Sequence, residues 1–334
     1  MAFVINTAYT LPEIMRTKAP DGSHMAAVDV LSGKYPFIEE AYWERSNGDT
    51  THEFVQMVSE PTGSLVRYNE GTALSVATTK NVTEFLARLE DRLQIDVRIL
   101  EKAPDPVKYR MEREAAHARG LIKTFHNIMF SKNGFGSRGA DLKDIDGLGQ
   151  RYKTLTTDTV VGNGATGSGT LGSIWIIKHG PDAFFNIYPK SMQKILKQTD
   201  LGIQPAYDAS GNRFEVVMTK FEWEFGMGVA DPRSVKRLCN IAASGNNSFW
   251  QDGTNAAKGE ENLIDLIEAL PNGDISNTAI YCGPKMMAQF RKRMNSKGNL
   301  YFTTEDVWGR PQLTFMGLPI IRVDTLGFDE STIS

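Results

Sequence analysis

Residues 162–167, Gly-Asn-Gly-Ala-Thr-Gly, have the spacing G-x-G-x-x-G that is found in dinucleotide-binding loops. In such loops a helix follows directly, and its aligned N–H groups bind the pyrophosphate. Here the chain instead continues through Ser168–Gly172 into the apolar run Ile174–Ile177, which is typical of a strand. A flexible turn between two strands is therefore the favoured interpretation. No glycine-rich loop is followed by Gly-Lys-Ser or Gly-Lys-Thr, which excludes a P-loop.

A pair of carboxylates, Glu222 and Glu224, flanks Trp223. Side chains two positions apart share one face of a strand, so this pair could take part in acid–base catalysis. The opposite face would carry Phe221, Trp223 and Phe225, which is the ordinary pattern of a half-buried strand. We favour that structural interpretation. An enzyme that uses Glu222 and Glu224, or the glycine-rich loop, is kept as the alternative from a different functional class.

The side chains that could bind a metal lack the necessary spacing. No H-E-x-x-H motif occurs among the five histidines, which are His24, His52, His117, His126 and His179. Residues 141–147 are similar to a calcium loop only in part, because Leu142 stands where a ligand is required and no glutamate closes the loop. Cys239 and Cys282 are expected to be reduced core thiols. The sequence therefore predicts no catalytic residue, metal or cofactor.

The composition is that of an ordinary globular protein. The chain has 334 residues, of which 41% are hydrophobic and 23% charged, with a net charge of −3. A protein dedicated to binding nucleic acid or a membrane surface would normally have an excess of basic residues. The first residues do not resemble a secretory signal, and no apolar run approaches the ~20 residues that cross a bilayer. We expect an aqueous, reducing compartment.

The first 48 residues alternate short helical patterns with chain breakers. Thr10–Glu13 has the pattern of a capping box, and a short helix is predicted over His24–Leu31, ending at Gly33. Helices this short are not stable alone. Residues 1–48 are therefore predicted to form an arm that lies on its own domain or on a neighbouring subunit.

Residues 49–80 predict a long β-hairpin. Thr51–Ser59 has strand-like content and is followed by the turn cluster Glu60–Ser64. The chain is expected to return through Leu65–Tyr68, extended by Ala73–Thr79. An isolated hairpin is only marginally stable in water, and apolar residues occur on both of its faces. Docking onto another molecule and membership of an internal sheet are equally compatible with these residues.

Two long helices are predicted after the hairpin. Asn81 and Glu84 have the spacing of a capping box, and apolar residues continue along one helical face. These apolar residues are Val82, Phe85, Leu86, Leu89, Leu93, Val97 and Leu100. A second helix is predicted from Pro106 to Phe130, and at the standard rise it would be about 37 Å long. Its charged first half and apolar second half are typical of a strut that is packed at one end.

From residue 155 onward the pattern is α+β. Strands are predicted at Ser173–Lys178, Phe214–Thr219, Phe221–Met227, Ala279–Cys282, Leu313–Phe315 and Pro319–Val323. Helices are predicted at Val235–Ile241, Leu263–Leu270 and Pro284–Asn295. The stretch Ala243–Glu260 is rich in Gly, Asn and Ser and predicts a loop.

Seven segments in a fixed order are similar to those of a known protein family. They are Thr10–Ile14, Ala19–Gly22, Glu60–Gly71, Thr78–Glu84, Asp146–Tyr152 (with its Gly-Leu-x-x-Arg-Tyr pattern), Asp231–Ile241 and Phe315–Asp324. Together they resemble the major capsid proteins of short-tailed bacteriophages of the epsilon-fifteen type, which have the Hong Kong 97-like fold. The resemblance implies an α+β protein with an N-terminal arm, an extended loop, a peripheral domain with a long spine helix, and an axial domain with a mixed sheet.

The resemblance also implies boundaries and a function. The implied parts are the arm at 1–48, the extended loop at 49–80, the peripheral domain at 81–155 and 300–334, and the axial domain at 156–299. The implied function is that of a major capsid protein, not an enzyme, which self-assembles into pentamers and hexamers and forms an icosahedral head around double-stranded DNA. A bacterial encapsulin shell of the same fold is the alternative.

The extended loop is expected to contact neighbouring subunits. The expected contact residues are Phe54, Met57, Pro61, Leu65, Arg67 and Tyr68. Some relatives have a long N-terminal scaffolding extension, and some lock their shell through a lysine of this loop. No long coiled-coil pattern precedes the first predicted long helix, and Thr50–Thr79 contains no lysine. We therefore expect a separate scaffolding protein and non-covalent locking.

The remaining expected partners also follow from the resemblance. They are a portal protein, a decoration protein, and packaged DNA that is bound without sequence specificity; no membrane partner is expected. The expected location is the virion, after assembly in the cytoplasm of a bacterial host.

Overall fold

The computed structural model describes residues 36–138, 144–190, 196–245, 247–249, 254–295, 302–307 and 310–334. These residues divide into two compact units. The smaller unit comprises residues 87–126 and 196–224, and the larger unit comprises the other described residues. The segments Thr10–Ile14, Ala19–Gly22 and His24–Leu31 lie outside the described residues.

The described chain contains six helices and fourteen strands. The helices are α1 (Pro36–Glu40), α2 (Val97–Glu101), α3 (Pro106–Met129), α4 (Leu148–Arg151), α5 (Thr254–Glu268) and α6 (Pro284–Asn295). The strands are β1 (Trp43–Arg45), β2 (Thr51–Ser59), β3 (Thr78–Phe85), β4 (Ala87–Asp96), β5 (Val160–Gly162), β6 (Leu171–Lys178), β7 (Phe184–Tyr188), β8 (Leu196–Tyr207), β9 (Arg213–Val229), β10 (Val235–Ala242), β11 (Thr278–Cys282), β12 (Phe302–Val307), β13 (Arg310–Phe315) and β14 (Leu318–Arg322). None of the described helices is both long and apolar enough to span a bilayer.

The smaller unit packs most of the long helix α3 against a small sheet. Its strands β8 and β9 pair in antiparallel fashion, and β4 also pairs with β9. The rings of Phe125 and Trp223 stack with their centroids 4.6 Å apart, and those of His117 and Phe221 lie 6.0 Å apart. The predicted helix from Pro106 and the predicted burial of Phe221 and Trp223 are both confirmed.

The predicted helix over residues 81–100 is wrong, because these residues form most of β3, all of β4 and most of α2. Residues four positions apart share a face on a strand as well as on a helix. The spacing of Leu89, Leu93 and Val97 therefore fits a strand as well as a helix. The alternation of the intervening residues does separate them. Along β4, Ala87, Leu93 and Ile95 are buried, while Arg88, Glu90 and Arg92 on the opposite face are exposed.

The larger unit is centred on a seven-stranded sheet. Its strand order is β12-β13-β14-β11-β6-β10-β5. The pairs β5–β10 and β11–β14 are parallel and the other neighbours are antiparallel. The helices α5 and α6 pack on this sheet through Leu263, Met286 and Phe290, which join strand residues such as Ile176 and Ile280 in one buried cluster.

The predicted helix Val235–Ile241 is also wrong, because β10 lies there as an inner strand of the sheet. Before the strand, Asp231 caps a single 3-10 turn, which imitates the start of a helix. Lys236 and Arg237 are both buried in this strand, and the Nζ atom of Lys236 donates a hydrogen bond to the Asp158 carbonyl at 2.6 Å.

Most of the other predicted elements are present with small shifts. The strands predicted at Ser173, Ala279, Leu313 and Pro319 are found as β6, β11, β13 and β14, and the helix from Pro284 is found as α6. The two strands predicted between residues 214 and 227 are one continuous strand, β9. The loop predicted over Ala243–Glu260 ends early, because α5 already begins at Thr254.

Candidate assembly surface

The most exposed part of the described structure is the extended hairpin, which consists of β2, residues 60–77 and β3. The two strands pair in antiparallel register from Thr51↔Phe85 to Ser59↔Thr78 and form a separate two-stranded sheet. Residues 60–77 connect them without helix or strand. Every residue from 57 to 76 is exposed. The predicted return strand Leu65–Tyr68 is therefore wrong, since the strand that pairs with β2 begins only at Thr78.

Five of the six predicted contact residues lie in this exposed segment. They are Met57, Pro61, Leu65, Arg67 and Tyr68. The side chains of Leu65 and Tyr68 are as accessible as in an extended peptide, at 105% and 102%. Phe54 is different, because it is half-buried at the root of the hairpin, where its ring lies 5.5 Å from the ring of Phe185.

Five further apolar residues between residues 55 and 76 were not predicted as contact residues. They are Val55, Val58, Val66, Leu74 and Val76, and all are exposed. Eight of the seventeen exposed large hydrophobic residues in the described chain lie between residues 55 and 76. Concentrated apolar exposure of this kind is typical of a protein interface. Leu74 and Val76 could have been identified by their alternation with small and polar neighbours.

An ion pair fixes the base of the hairpin. The carboxylate of Glu84 on β3 accepts two hydrogen bonds from the guanidinium of Arg151 on α4, both 2.6 Å long. Burial lowers the pKa of Arg151, but the hydrogen bond and charge of Glu84 outweigh burial, so that this pKa lies above its ordinary value. Bidentate pairs of this geometry fix direction as well as distance. Glu84 thus anchors a strand instead of capping a helix as the sequence predicted.

The helix α4 is held in place by close backbone contacts. A Cβ atom on Gly147 would lie 2.2 Å from the Ile128 carbonyl oxygen, and one on Gly149 would lie 2.8 Å from that of Phe130. Only glycine allows this approach. Next to it, the Tyr152 hydroxyl donates a hydrogen bond to the Pro232 carbonyl at 2.9 Å. The Gly-Leu-Gly-Gln-Arg-Tyr segment therefore positions the anchor of the hairpin.

A groove separates the outer part of the hairpin from the body of the larger unit. Its volume is about 830 Å³, and it lies between residues 55–60 on one side and Asp182 with residues 230–233 on the other. The side-chain amide of Gln56 bridges the two sides with a 2.9 Å hydrogen bond to the Ala230 carbonyl. The hairpin is thus fixed at its root and leaves an open space beneath its middle.

The carboxylate pair Glu222 and Glu224 is engaged in ion pairs. Glu222 accepts hydrogen bonds from Lys220, at 2.6 Å, and from Arg88, and Glu224 lies 3.6 Å from Arg88. The hydrogen bond from Lys220 is the largest of the influences that lower the pKa of Glu222. A carboxyl group that stays ionised in this way is a poor proton donor at neutral pH. The pair therefore stabilises the sheet of the smaller unit.

The other chemical motifs have structural roles or lie partly outside the described residues. The glycine-rich segment 162–167 begins at the last residue of β5 and precedes β6, which confirms the predicted turn between strands. Cys239 and Cys282 are buried free thiols, as predicted. Asp141 and Leu142 lie outside the described residues. Within the described part of the chain, no group of three or more potential ligand residues is placed to hold a metal ion.

Comparison with known proteins identifies a family and a fold. The family model described as Major capsid protein GP7 matches residues 19–334. The capsid structure of bacteriophage Epsilon15 matches with a TM-score of 0.70 and 22% identity, over 100% of both chains. The capsid of bacteriophage JBD30 matches with a TM-score of 0.53 and 10% identity, over 90% of this chain and 93% of that one. A search of curated proteins finds no significant match. The fold is the Hong Kong 97-like α+β capsid fold.

Proposed function

The chain belongs to the Major capsid protein GP7 family, and from this membership we propose that its copies assemble into pentamers and hexamers that close as an icosahedral phage head. The protein is a structural component of a capsid and not an enzyme. Head-to-tail contacts between identical subunits form rings whenever the rotation between neighbours closes. Pentamers and hexamers are two such rings built from one subunit.

The exposed hairpin is the observation that carries this proposal. Residues 57–76 are exposed throughout and include several large apolar side chains, which is unfavourable for a solitary protein in water. Burying these side chains against neighbouring copies would remove that cost. Obligate interfaces often exceed ~2,000 Å², so many such contacts would add up to a stable shell. Met57, Pro61, Leu65, Arg67 and Tyr68 are proposed as contact residues, and Phe54 as a residue that positions the hairpin for them.

The other proposed partners follow from membership of the capsid family. A separate scaffolding protein would direct assembly in the bacterial cytoplasm, a portal would occupy one vertex, and a decoration protein would bind outside. Packaged DNA would touch the inner surface without sequence specificity, and such contacts weaken as salt increases. The mature protein would reside in the virion.

The division into parts is also a proposal. Residues 1–48 would form the arm, 49–80 the extended loop, 81–155 with 300–334 the peripheral domain, and 156–299 the axial domain. Because Thr50–Thr79 contains no lysine, the loop would lock non-covalently. Mass spectrometry of denatured particles should then show only single chains, and covalently linked subunits would contradict this point.

Negative-stain microscopy of the purified protein tests assembly directly. We expect closed particles or free capsomers at high protein concentration. A compact monomer at every concentration, in which protease does not cut residues 57–76, would contradict the proposal. Particles that are filled with DNA through a portal would distinguish a phage head from an encapsulin shell, which would instead enclose a cargo enzyme.

A further inference from the structure

The helices α5 and α6 of the larger unit have exposed faces of opposite charge. Both helices pack on the seven-stranded sheet through one buried apolar cluster, to which α5 contributes Leu266 and α6 contributes Phe290. Between residues 259 and 268 of α5, the exposed residues are Glu261, Asp265 and Glu268, and all three are acidic. Their spacing of four and three residues places them in one row along the helix. We call this row the acidic stripe.

The exposed face of α6 carries the opposite charge. Its exposed residues are Lys285, Ala288, Arg291 and Lys292, which form a basic stripe on the helix surface. The helix α6 contains no acidic residue. Each stripe extends over a step of seven residues, or about 10 Å at the helical rise, and each carries three charges. The two stripes therefore match in length and are opposite in charge.

The charges of the stripes are not neutralised within the described chain. No described residue forms an ion pair with the three carboxylates of the acidic stripe, and the same holds for Lys285 and Arg291 in the basic stripe. An ion pair does join the two helices, between Glu260 and Arg293 at 2.7 Å. It uses residues outside both stripes, and Glu260 is buried. The stripes thus remain available to an external partner.

The positions of these charges also oppose the dipoles of their own helices. The C-terminal end of a helix carries a partial negative charge and the N-terminal end a partial positive charge. Asp265 and Glu268 nevertheless lie in the last turn of α5, where no basic residue is present. Lys285 lies in the first turn of α6, where no acidic residue is present. The stability of the two helices does not explain these charges, whereas opposite charges from another molecule would compensate them.

We propose that the basic stripe of α6 in one subunit lies against the acidic stripe of α5 in a second copy of this chain. This inference rests on the proposed self-assembly and adds a contact that does not involve the extended hairpin. Every copy carries both stripes, so each copy can offer its basic stripe to one neighbour and its acidic stripe to another. Packaged DNA suits the basic stripe less well, because its phosphates would also meet the acidic stripe on the adjacent helix.

Two charge-reversed chains test the contact. The basic variant carries Glu261→Lys and Asp265→Lys, and the acidic variant carries Lys285→Glu and Arg291→Glu. Sedimentation velocity at low salt measures the association of subunits. Each variant alone should associate about tenfold more weakly than the native chain, because like charges then face each other. An equimolar mixture should associate nearly as well as the native chain, because each stripe of one variant then meets an opposite charge on the other.

A chain with Glu101→Lys and Glu215→Lys is the matched control, because it changes the net charge equally at two exposed residues of the smaller unit. It should associate like the native chain. Native-like association of both variants, an equal loss in the control, or a mixture no better than the separate variants overturns the inference. If circular dichroism shows that a variant is unfolded, Asp265→Asn and Arg291→Gln replace the reversals. Each should weaken association about threefold or more, and unchanged association of both would overturn the inference.

Particle assays separate this contact from the proposed function and from DNA binding. If the native chain forms particles while the charge tests fail, self-assembly stands and only this contact is wrong. If the native chain forms no particles, sedimentation of concentrated subunits still decides whether the two stripes meet. An acidic variant that forms particles in normal yield but retains less DNA would show that the basic stripe binds DNA, and would overturn the inference.

Discussion

The extended hairpin and the C-terminal segment of the larger unit differ in where their side chains find partners. Residues 57–76 of the hairpin are exposed and have few contacts within the described chain. The last residues, by contrast, are held by hydrogen bonds: Glu330 pairs with Leu171, and the Thr332 N–H donates to the Gly167 carbonyl at 2.9 Å. The C-terminal segment is completed by its own chain, whereas under the proposed function another copy of the chain would complete the hairpin.

The same contrast holds for charge. The Glu330 carboxylate lies between two nearly buried cations, with Lys132 Nζ at 2.8 Å and Arg237 Nη2 at 3.0 Å, and Ser173 also donates a hydrogen bond to it. Burial raises the pKa of Glu330, but the two cations outweigh burial and hold this pKa below its usual value. The charged residues of the hairpin tip have no comparable network among the described residues. Stability should therefore depend on the C-terminal segment, and assembly on the extended hairpin.

The largest effect on stability is expected from Glu330→Gln. The substitution keeps the shape of the side chain but removes the carboxylate that pairs with the buried Arg237, while Lys132 keeps Asp329 at 2.7 Å. Removing one member of a buried ion pair costs about 3 kcal/mol or more of the free energy of unfolding. Chemical denaturation of unassembled subunits measures the change.

The matched control for this variant is Glu60→Gln in the exposed hairpin. An exposed substitution of this kind should alter the free energy of unfolding by less than about 0.5 kcal/mol. Equal effects of the two variants would show that the C-terminal network contributes no more to stability than the surface does.

A change in stability that accumulates only as the solution becomes acidic is expected through His179. Its Nε2 atom is hydrogen-bonded to the Tyr281 hydroxyl at 2.8 Å, and burial lowers its pKa to about 4. The unfolded chain binds a proton near pH 6.5, whereas the folded protein does so only near pH 4. Stability should therefore fall as the pH decreases through this window, by up to about 1.4 kcal/mol per pH unit.

His179→Gln is the variant that isolates this contribution. It should be less stable at pH 7, because the histidine packing is lost, but its stability should change less between pH 6.5 and 4. Denaturant titrations at several pH values give both curves. Parallel curves for the native protein and the variant would exclude His179 as the source of the pH dependence.

A smaller loss of stability is expected from Arg151→Lys at the base of the hairpin. Lysine keeps the charge opposite Glu84 but cannot form the two parallel hydrogen bonds, so about 1 kcal/mol of stability should be lost. Hydrogen exchange should become faster in β2 and β3, because the hairpin loses its fixed direction. Lys153→Arg, on an exposed neighbour, serves as the control. Unchanged exchange in the two strands would show that the ion pair does not hold the hairpin.

These regions differ, for physical reasons, in how much of their structure could be predicted from the sequence. A hairpin after residue 49 and the long helix α3 could be predicted, because turn residues and a helical period identify them. The return strand of the hairpin is predicted too early, and the sequence leaves open the choice between docking onto another molecule and an internal sheet. The strand β4 is predicted as a helix because four-residue spacing fits both periods, although the alternation along it favours a strand. The strand β10 could not be predicted, because Lys236 and Arg237 suggest a surface although both are buried. The pairs Glu84–Arg151 and Glu330–Arg237 join residues far apart in sequence. Local patterns contain no signal for such pairs, and the groove beneath the hairpin depends on the same kind of long-range contact.

The smallest effect on stability, and the sharpest contrast between the two regions, is expected from the double variant Leu65→Ser with Tyr68→Ser. Both side chains are fully exposed in the subunit, so the free energy of unfolding should change by less than about 0.5 kcal/mol. Particle yield should nevertheless fall strongly, since each contact between subunits loses two apolar side chains. Phe54→Ala would be a poorer test, because Phe54 packs on Phe185 within its own chain and its removal would also disturb the hairpin. Denaturation of subunits measures the free energy of unfolding, and light scattering of assembly mixtures measures the particle yield. If both quantities fall together, the hairpin tip already packs against its own subunit, and the contrast between the two regions does not exist.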